Sequence, residues 1–481
     1  MILAIDAGTT GVSALAVSSE GKITSRGYSE FKQHFPQPGY VEHDLNEIWE
    51  ATLKAVKQVL DQTKDFSAVG ITNQRETVGV WNRKTLEPLC PAIVWQDRRT
   101  TEILKELNAD SSVQQKTGLP LDPYFSAAKL RWIAKNNPDV WGKVLTGDAV
   151  VGTIDTYLIA KLSNGKVHAT DASNASRTQL FDIHSGTWSE ELTDLFEIPV
   201  SALAEVVDSS GVIANTENFF DLNIPIAGVA GDQQAALFGQ NQYEVGGAKC
   251  TYGTGAFILQ NTGDQALVQD NGLITTVAWR LNGKITYANE GSVFVSGAAV
   301  QWLRDELQII SKASEIEQLA LTVSDNGGVV FVPALTGLGA PYWIPDARGS
   351  VFGLTRGTER GHVARATLEA LAYQVRDVFD AIGSTGVKLS SLRVDGGASA
   401  NNLLMQIQAD LLQVPIHTPV QLESTALGAA YLAGLGIGAW TMTDLSKLNP
   451  IESEFQPQLE REVDYARWKK AVSATIAFAS N

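Results

Sequence analysis

The feature that most constrains this chain is a small unit used twice: an apolar run, a turn of glycine and threonine, and a second apolar run. Near the amino terminus, residues 2–5 lead into Asp6-Ala7-Gly8-Thr9-Thr10-Gly11 and on to residues 12–17. Past the middle, Lys249-Cys250-Thr251-Tyr252 leads into Gly253-Thr254-Gly255 and on to residues 256–259. Short apolar runs bounded by small turn residues read as paired strands. In the first copy, Ser18-Ser19-Glu20-Gly21-Lys22 turns into a third strand near Ile23. A helix follows, with Asp44 placed to cap it and Glu47 three residues later. Leu45, Ile48, Trp49, Thr52, Leu53, Val56, Val59 and Leu60 share one of its faces. Residues 68–72 and 78–81 then read as buried strands. In the second copy a long amphipathic helix is predicted near 362–382, with Ala364, Leu368, Leu371, Ala372, Val375, Val378, Phe379 and Ile382 on one face. A strand at 392–394 follows and ends in Asp395-Gly396-Gly397-Ala398-Ser399-Ala400-Asn401. Strands first, then helix alternating with strand, is the pattern of α/β layers. The expectation is two domains of like plan, 1–240 and 241–481, with a cleft between them.

Composition narrows the function classes. The 481 residues are 44% hydrophobic and 19% charged, which supplies large cores and excludes global disorder. Basic residues number 37 against 53 acidic ones, a net charge of −16. Such a surface repels nucleic acid and anionic membranes, while leaving room for a small anion in a locally positive pocket. Cys90 and Cys250 lie far apart in no ligand-like spacing, which argues against a disulfide framework or a zinc cluster. The start Met1-Ile2-Leu3-Ala4-Ile5-Asp6 has neither a basic leader nor a cleavable apolar core. The longest nearly apolar run, 426–440, is shorter than a bilayer span and rich in glycine. A soluble cytoplasmic protein is expected, with no nucleic-acid partner and no membrane insertion.

Three glycine-rich turns carry the first chemistry: residues 6–11, 252–255 and 395–399. Glycine lets a backbone approach phosphate closely, and successive N–H groups with threonine hydroxyls supply donors to its oxygens. Each turn alone is an ordinary hairpin tip. Three of them, two on matching units in opposite halves, read as phosphate loops facing across a cleft. Asp6, at a strand end, is placed to hold the water shell of magnesium, which favours one or two carboxylates plus waters and substrate phosphates. Competing motifs are absent: no GxxxxGK[ST], no HRD with DFG, no GxSxG elbow, and no metal spacing among the six histidines. Gly434-Leu435-Gly436-Ile437-Gly438 sits inside an apolar run after a helix and reads as close helix packing.

Two further groups follow buried strands. Gly231-Asp232-Gln233-Gln234 puts a carboxylate at the carboxyl end of a strand entering a helix, a cleft position; the plain alternative is a helix cap. Asn73-Gln74-Arg75-Glu76-Thr77 offers a guanidinium fork and an acceptor, which suits neighbouring hydroxyls of a polyol. Its plain alternative is a surface ion pair. The segments 92–99, with Trp95, and 122–126, with Tyr124, could add aromatic walls.

With these residues in view, the chain resembles the FGGY carbohydrate kinases along nearly its whole length. Residues 6–10 match the DxGTT loop, 71–77 ITNQRET, 92–100 AIVWQxRRT, 122–126 DPYFS, 231–234 GDQQ, 251–257 TYGTGxF, and 394–402 VDGGAxxNN. Residues 353–365 match GLTRGTxRxHxxR. NQRET together with DPYFS marks members that phosphorylate glycerol. The resemblance implies an actin-like ATPase fold of two RNase H-like domains flanking a catalytic cleft. It implies ATP-dependent phosphorylation of glycerol to sn-glycerol 3-phosphate, with Asp232 as general base. Arg75, Glu76, Tyr124, Asp232 and Gln233 would hydrogen-bond the polyol between Trp95 and Phe257. Asp6 would be the magnesium (Mg2+) carboxylate, and Thr9, Thr10 and Gly11 the first phosphate loop. Thr254, Gly297, Gln301, Gly397 and Asn401 would contact ATP. Family membership also suggests a homo-oligomer, a dimer or tetramer.

Two departures stand out. The family's basic residue three places after the second threonine of DxGTT is Ser13 here, and its glutamine after the aspartate is Ala7. Residues 214–223 carry neither the Gly/Arg-rich stretch nor the histidine found in regulated members. Another small polyol or ketose as substrate, and a non-catalytic ATP-binding sensor, stay open at this point.

Overall fold

The computed structural model describes residues 1–107 and 112–479. The first mixed sheet contains β1 (Ile2–Ala7), β2 (Gly11–Val17), β3 (Ile23–Glu30), β4 (Ala68–Asn73), β5 (Ser210–Asn215) and β6 (Pro225–Gly231), in the order β5-β6-β4-β1-β2-β3. The second contains β7 (Ala248–Tyr252), β8 (Ala256–Gly263), β9 (Ile274–Leu281), β10 (Lys284–Val293), β11 (Leu392–Asp395), β12 (Ile416–Pro419) and β13 (Ile451–Phe455), in the order β9-β10-β8-β7-β11-β12-β13. In the first, an antiparallel meander β1-β2-β3 is extended by β4 parallel to β1 and β6 parallel to β4. In the second, antiparallel β7, β8 and β10 are extended by β11 parallel to β7 and β12 parallel to β11. The repeated unit therefore seeds the same sheet twice, with β9 added at one edge.

Parallel strands must be covered on both faces, so they read as unbroken apolar runs. β4 fits: all six of its residues are buried. The register aligns the strand ends, with Asp6 beside Thr72 and Gly231 beside Asn73. Thr251 lies beside Asp395 in the second sheet. Every turn singled out above thus leaves its sheet at the carboxyl ends of the strands, where open α/β sheets bind ligands.

The helices used below are α1 (Leu45–Leu60), α2 (Ser126–Asn136), α3 (Asp232–Gly239), α4 (Gly297–Asp305), α5 (Arg360–Gly383), α6 (Asn402–Leu412) and α7 (Ser424–Gly436). In α1, Asp44 caps as expected, accepting from the Asn46 N–H at 2.8 Å. Glu47 does not close a capping box; its carboxylate turns to His34 Nε2 at 3.1 Å. Trp49 and Leu53 are only half-buried, while the other members of that face are buried. In α5 the whole predicted face is buried. The strand Val78–Asn82 belongs to a separate four-stranded antiparallel sheet with Glu42–His43, Ala92–Ile93 and Ala149–Thr153.

One arrangement was not legible locally. α7 comes late in the chain, yet it packs against β1, β4 and β6 of the first sheet, while α3, which follows β6, leans on β7, β8 and β9. Ala230, Ala235, Leu237 and Phe238 share one apolar core with Leu259, Ala278 and Trp279 and with Leu427, Ala430 and Tyr431. Close backbone contact demands glycine here. A Cβ on Gly428 would lie 1.8 Å from the Ala235 carbonyl oxygen, and one on Gly436 would lie 2.4 Å from that of Ala227. The 434–438 stretch is thus helix packing, as its sequence suggests. Among the described residues no helix is long and apolar enough to cross a membrane.

Candidate active site

The residues expected to hold the polyol gather by way of a strained loop. Glu76, just beyond β4, has φ 61°, a left-handed conformation that costs a non-glycine residue on the order of 1–3 kcal/mol. Three contacts hold it there. The Thr77 N–H donates to the Arg75 carbonyl at 2.7 Å, Ser126 Oγ donates to the Glu76 carbonyl at 2.9 Å, and Arg177 Nε donates to Glu76 Oε1 at 2.6 Å. Ser126 opens α2, and the turn before it is tied by Asp122, which accepts from the Tyr124 N–H at 2.8 Å and from Arg98 at 2.7 Å. Tyr124 is thereby presented edge-on to Trp95, ring centroids 5.6 Å apart. Trp95 Nε1 donates to Thr9 Oγ1 at 3.0 Å.

Arg75, Glu76, Trp95, Tyr124, Asp232, Gln233 and Phe257 line a single cavity of about 130 Å³, with Thr9 as its eighth wall. At ~30 Å³ per liquid water, that is room for a ligand of a few heavy atoms. Thr9 belongs to the first glycine turn and Phe257 to β8 just past the second, so the cavity lies between the two halves.

Asp232 is not the helix cap. Gly231 occupies that position, and Asp232 is the first helical residue. Its Oδ1 accepts from the Gln233 N–H at 2.7 Å and faces Arg75 Nε at 3.0 Å. The side chain stays 30% exposed and lines the cavity. Burial pushes its carboxyl above the ordinary range, Arg75 and Lys249 pulling the other way. Asp6 is half-buried at the end of β1. Burial pushes its carboxyl up to about 8, with Asp232 and then Glu423 adding to the rise. Ser13 lies directly across from it in the β1–β2 pairing, so no cation answers it there.

The second-half residues group around β7. The Gly297 N–H donates to the Gly253 carbonyl and the Ala298 N–H to the Thr254 carbonyl, each at 3.0 Å, which sets the start of α4 on the Thr254 turn. Gln301 follows one turn along α4 and is exposed. Gly396, at φ 85°, could carry no side chain, since its Cβ would lie 2.3 Å from the Tyr252 carbonyl oxygen. The Gly397 turn therefore rests on the Thr254 turn. Asn401 caps α6, its Oδ1 accepting from the Leu404 N–H at 2.8 Å. Of the first loop, Thr10 is exposed and Gly11 buried at the start of β2.

The profile of the FGGY family of carbohydrate kinases matches in both parts, its N-terminal domain over residues 1–239 and its C-terminal domain over residues 248–437. The chain belongs to the FGGY family of carbohydrate kinases. A glycerol kinase of Geobacillus sp. (strain WCH70) is 51% identical over 491 residues, covering 99% of each chain. Glycerol kinase 2 of Thermotoga maritima is 49% identical, also with 99% of each covered. Among solved structures, the Plasmodium falciparum glycerol kinase with ADP superposes with a TM-score of 0.93 at 38% identity, covering 98% of each chain. This FGGY chain thus has the two-domain α/β kinase architecture of that structure.

Four buried charges around the site carry only a weak local sequence signal. Arg177 and Glu290 belong to the network described below. Lys249, fully buried on β7, donates to Gln233 Oε1 and, at 3.0 Å, to Thr251 Oγ1. Lys129, fully buried on α2, donates to the carbonyls of Tyr124 and, at 3.1 Å, Phe125. A charged residue amid buried neighbours is the one hint that could have found them.

Lys129 yields a pH signature. Burial lowers its ammonium to about 7 from the ordinary 10.5. Between those values the unfolded chain holds the proton and the folded one does not, so this group's contribution to stability rises with pH. The stability advantage of the parent over Lys129→Met should grow from about pH 7 to 10, with a limiting slope of about 1.4 kcal/mol per pH unit. Urea unfolding at a series of pH values reads it; parallel profiles would show that Lys129 stays charged.

Proposed function

We propose that this protein transfers the γ-phosphoryl group of ATP to a terminal hydroxyl of glycerol, giving sn-glycerol 3-phosphate and ADP. The observation that carries the reading is the shared cavity, in which every side chain expected to hold the polyol meets. Arg75 has five N–H donors; Glu290 and Gln234 take three, and its Nε edge faces Asp232 as an ion pair at 3.0 Å, which leaves donor capacity for a substrate hydroxyl. Glu76 Oε1 is taken by Arg177, which leaves Oε2 to accept from another. Tyr124 keeps its proton, burial raising its phenol far above the ordinary value, and serves as a donor. Trp95 and Phe257 cover the carbon backbone. Asp232, with one oxygen free, takes the proton of the attacking hydroxyl, and its raised carboxyl brings it nearer the working pH, where a general base is most effective.

Asp6 fits a divalent cation. Among the described residues its carboxylate pairs with no cation, and its electrostatic neighbours are the acids Asp232 and Glu423. No group of three or more His, Cys, Asp or Glu side chains among those residues is arranged as a metal cluster, so a cation would rely on Asp6, water and substrate phosphate, the manner magnesium favours. Bound there, magnesium would neutralise charge on the transferring phosphates. Thr9, Thr10 and Gly11 offer phosphate donors from the first half, and Thr254, Gly297, Gln301, Gly397 and Asn401 line the nucleotide side. The domain assignment 1–240 and 241–481, a cytoplasmic location and assembly of two or four copies belong to the same reading.

A coupled ADP-release assay tests it. With magnesium and ATP, glycerol should support turnover well above erythritol, xylulose or dihydroxyacetone. Preference for one of the others, or ATP binding with no release on any, would sink the glycerol assignment.

A further inference from the structure

Behind the polyol cavity lies a chain of buried charges that crosses between the halves. Glu290, on β10 of the second sheet, is fully buried. Its Oε2 accepts from Arg75 Nη1 at 2.6 Å and its Oε1 from Arg75 Nη2 at 2.9 Å. The same Oε1 accepts from Arg177 Nη2 at 3.2 Å. Arg177, also fully buried, then donates to Glu76 and lies 5.9 Å from the Tyr124 ring centroid and 5.5 Å from that of Phe125. The continuous path is Asp232–Arg75–Glu290–Arg177–Glu76, which joins the proposed base to the polyol acceptor.

Neither Glu290 nor Arg177 lines the cavity. Yet each restricts a group that does. The two parallel bonds that Arg75 donates to Glu290 fix the plane of its guanidinium and so aim the N–H groups that Glu290 and Gln234 leave free. Arg177 occupies one Glu76 oxygen and leaves the other facing the cavity, while helping to keep Glu76 at positive φ. Burial opposes ionisation of Glu290, but Arg177 and Arg75 hold its carboxyl down to about 2, so it is a fixed anion throughout the working pH range. Removing that anion would leave two buried guanidinium groups sharing only Asp232 and Glu76, and both would draw the substrate-facing carboxylates back toward themselves.

We propose that Glu290 and Arg177 are positioning residues for the polyol site: a carboxylate of the second half sets the geometry of a clamp whose arms belong to the first. The inference rests on the functional reading above. It makes polyol binding depend on docking of the second sheet, so the clamp is complete only while the halves stay joined.

The test is the split between the two Michaelis constants. Glu290→Gln keeps size and removes charge; it should raise the KM for the polyol at least ~10-fold, comparable to losing one charge-assisted hydrogen bond, with the KM for ATP changed less than ~2-fold. Glu290→Asp keeps the charge but retreats by one methylene, and should fall between Gln and the parent. The assays use whichever of the four polyols the parent turns over. A polyol other than glycerol with the KM split intact overturns the glycerol reading and supports the clamp. Glycerol turnover in the parent with an unchanged polyol KM in Glu290→Gln overturns the clamp alone. Should Gln at 290 prevent folding, Arg177→Lys takes its place: lysine keeps the charge but cannot serve Glu76 and Glu290 together, and the same selective rise is expected. An equal rise in both constants marks a merely structural role and ends the proposal.

Discussion

Replacing Asp232 by asparagine is expected to lower glycerol-dependent ADP release at least ~10²-fold, the lower end for loss of a general base. The effect should fall on kcat, with the KM for ATP little changed. Asparagine has the same shape and can still accept from the Gln233 N–H, but its amide cannot take a proton. The same variant should fold as well as the parent or better. Gly231, not Asp232, caps α3, and burial disfavours the charged Asp232 carboxylate, so removing the charge relieves a cost. Stability retained while activity collapses is the mark of a site tuned for chemistry rather than folding. Steady-state kinetics beside a urea titration decide it; near-normal kcat would remove Asp232 from the base role.

Gly428→Ala should be among the most damaging single methyls in the fold. The new Cβ would lie 1.8 Å from the Ala235 carbonyl oxygen, backbone against backbone, so no side chain can rotate away. Overpacking of this kind costs about 1–3 kcal/mol and sometimes more. Because α3 begins at Asp232, pushing α7 off α3 should also weaken turnover. Gly383→Ala is the control: nothing lies within 4 Å of a Cβ there, and alanine in a helix should stabilise by about 0.5–1 kcal/mol. Thermal unfolding of the pair should move in opposite directions. A Gly428→Ala protein as stable as its parent would mean that the two helices can part cheaply.

Much of this was legible because the informative residues are neighbours in sequence. The turns at 6–11, 252–255 and 395–399, the Arg75-Glu76 pair and the GDQQ helix start each declare themselves within a few positions. Their meeting place follows from strand order, since the turns all leave at the same strand ends. The partners that aim them were not legible. Arg177 and Glu290 are 113 residues apart, and nothing in the stretch 286–293 says that its one glutamate faces two guanidinium groups. Glu47 fits a capping box by spacing, yet its carboxylate pairs instead with His34, from the segment that precedes the helix. The crossing of α7 was hidden for the same reason: an apolar helix states that it is buried, not where.

That crossing has a consequence during synthesis. Ile2, Ala4, Leu15, Val17, Ala68, Ala227 and Ala230 belong to the apolar core that α7 completes. The first sheet is finished at Gly231, but α7 ends only at Gly436, a delay on the order of ten to forty seconds at ~5–20 residues per second. Throughout that interval the nascent amino-terminal half carries an uncovered greasy face. Until the ribosome delivers the missing helix, that half has no element of its own to bury it.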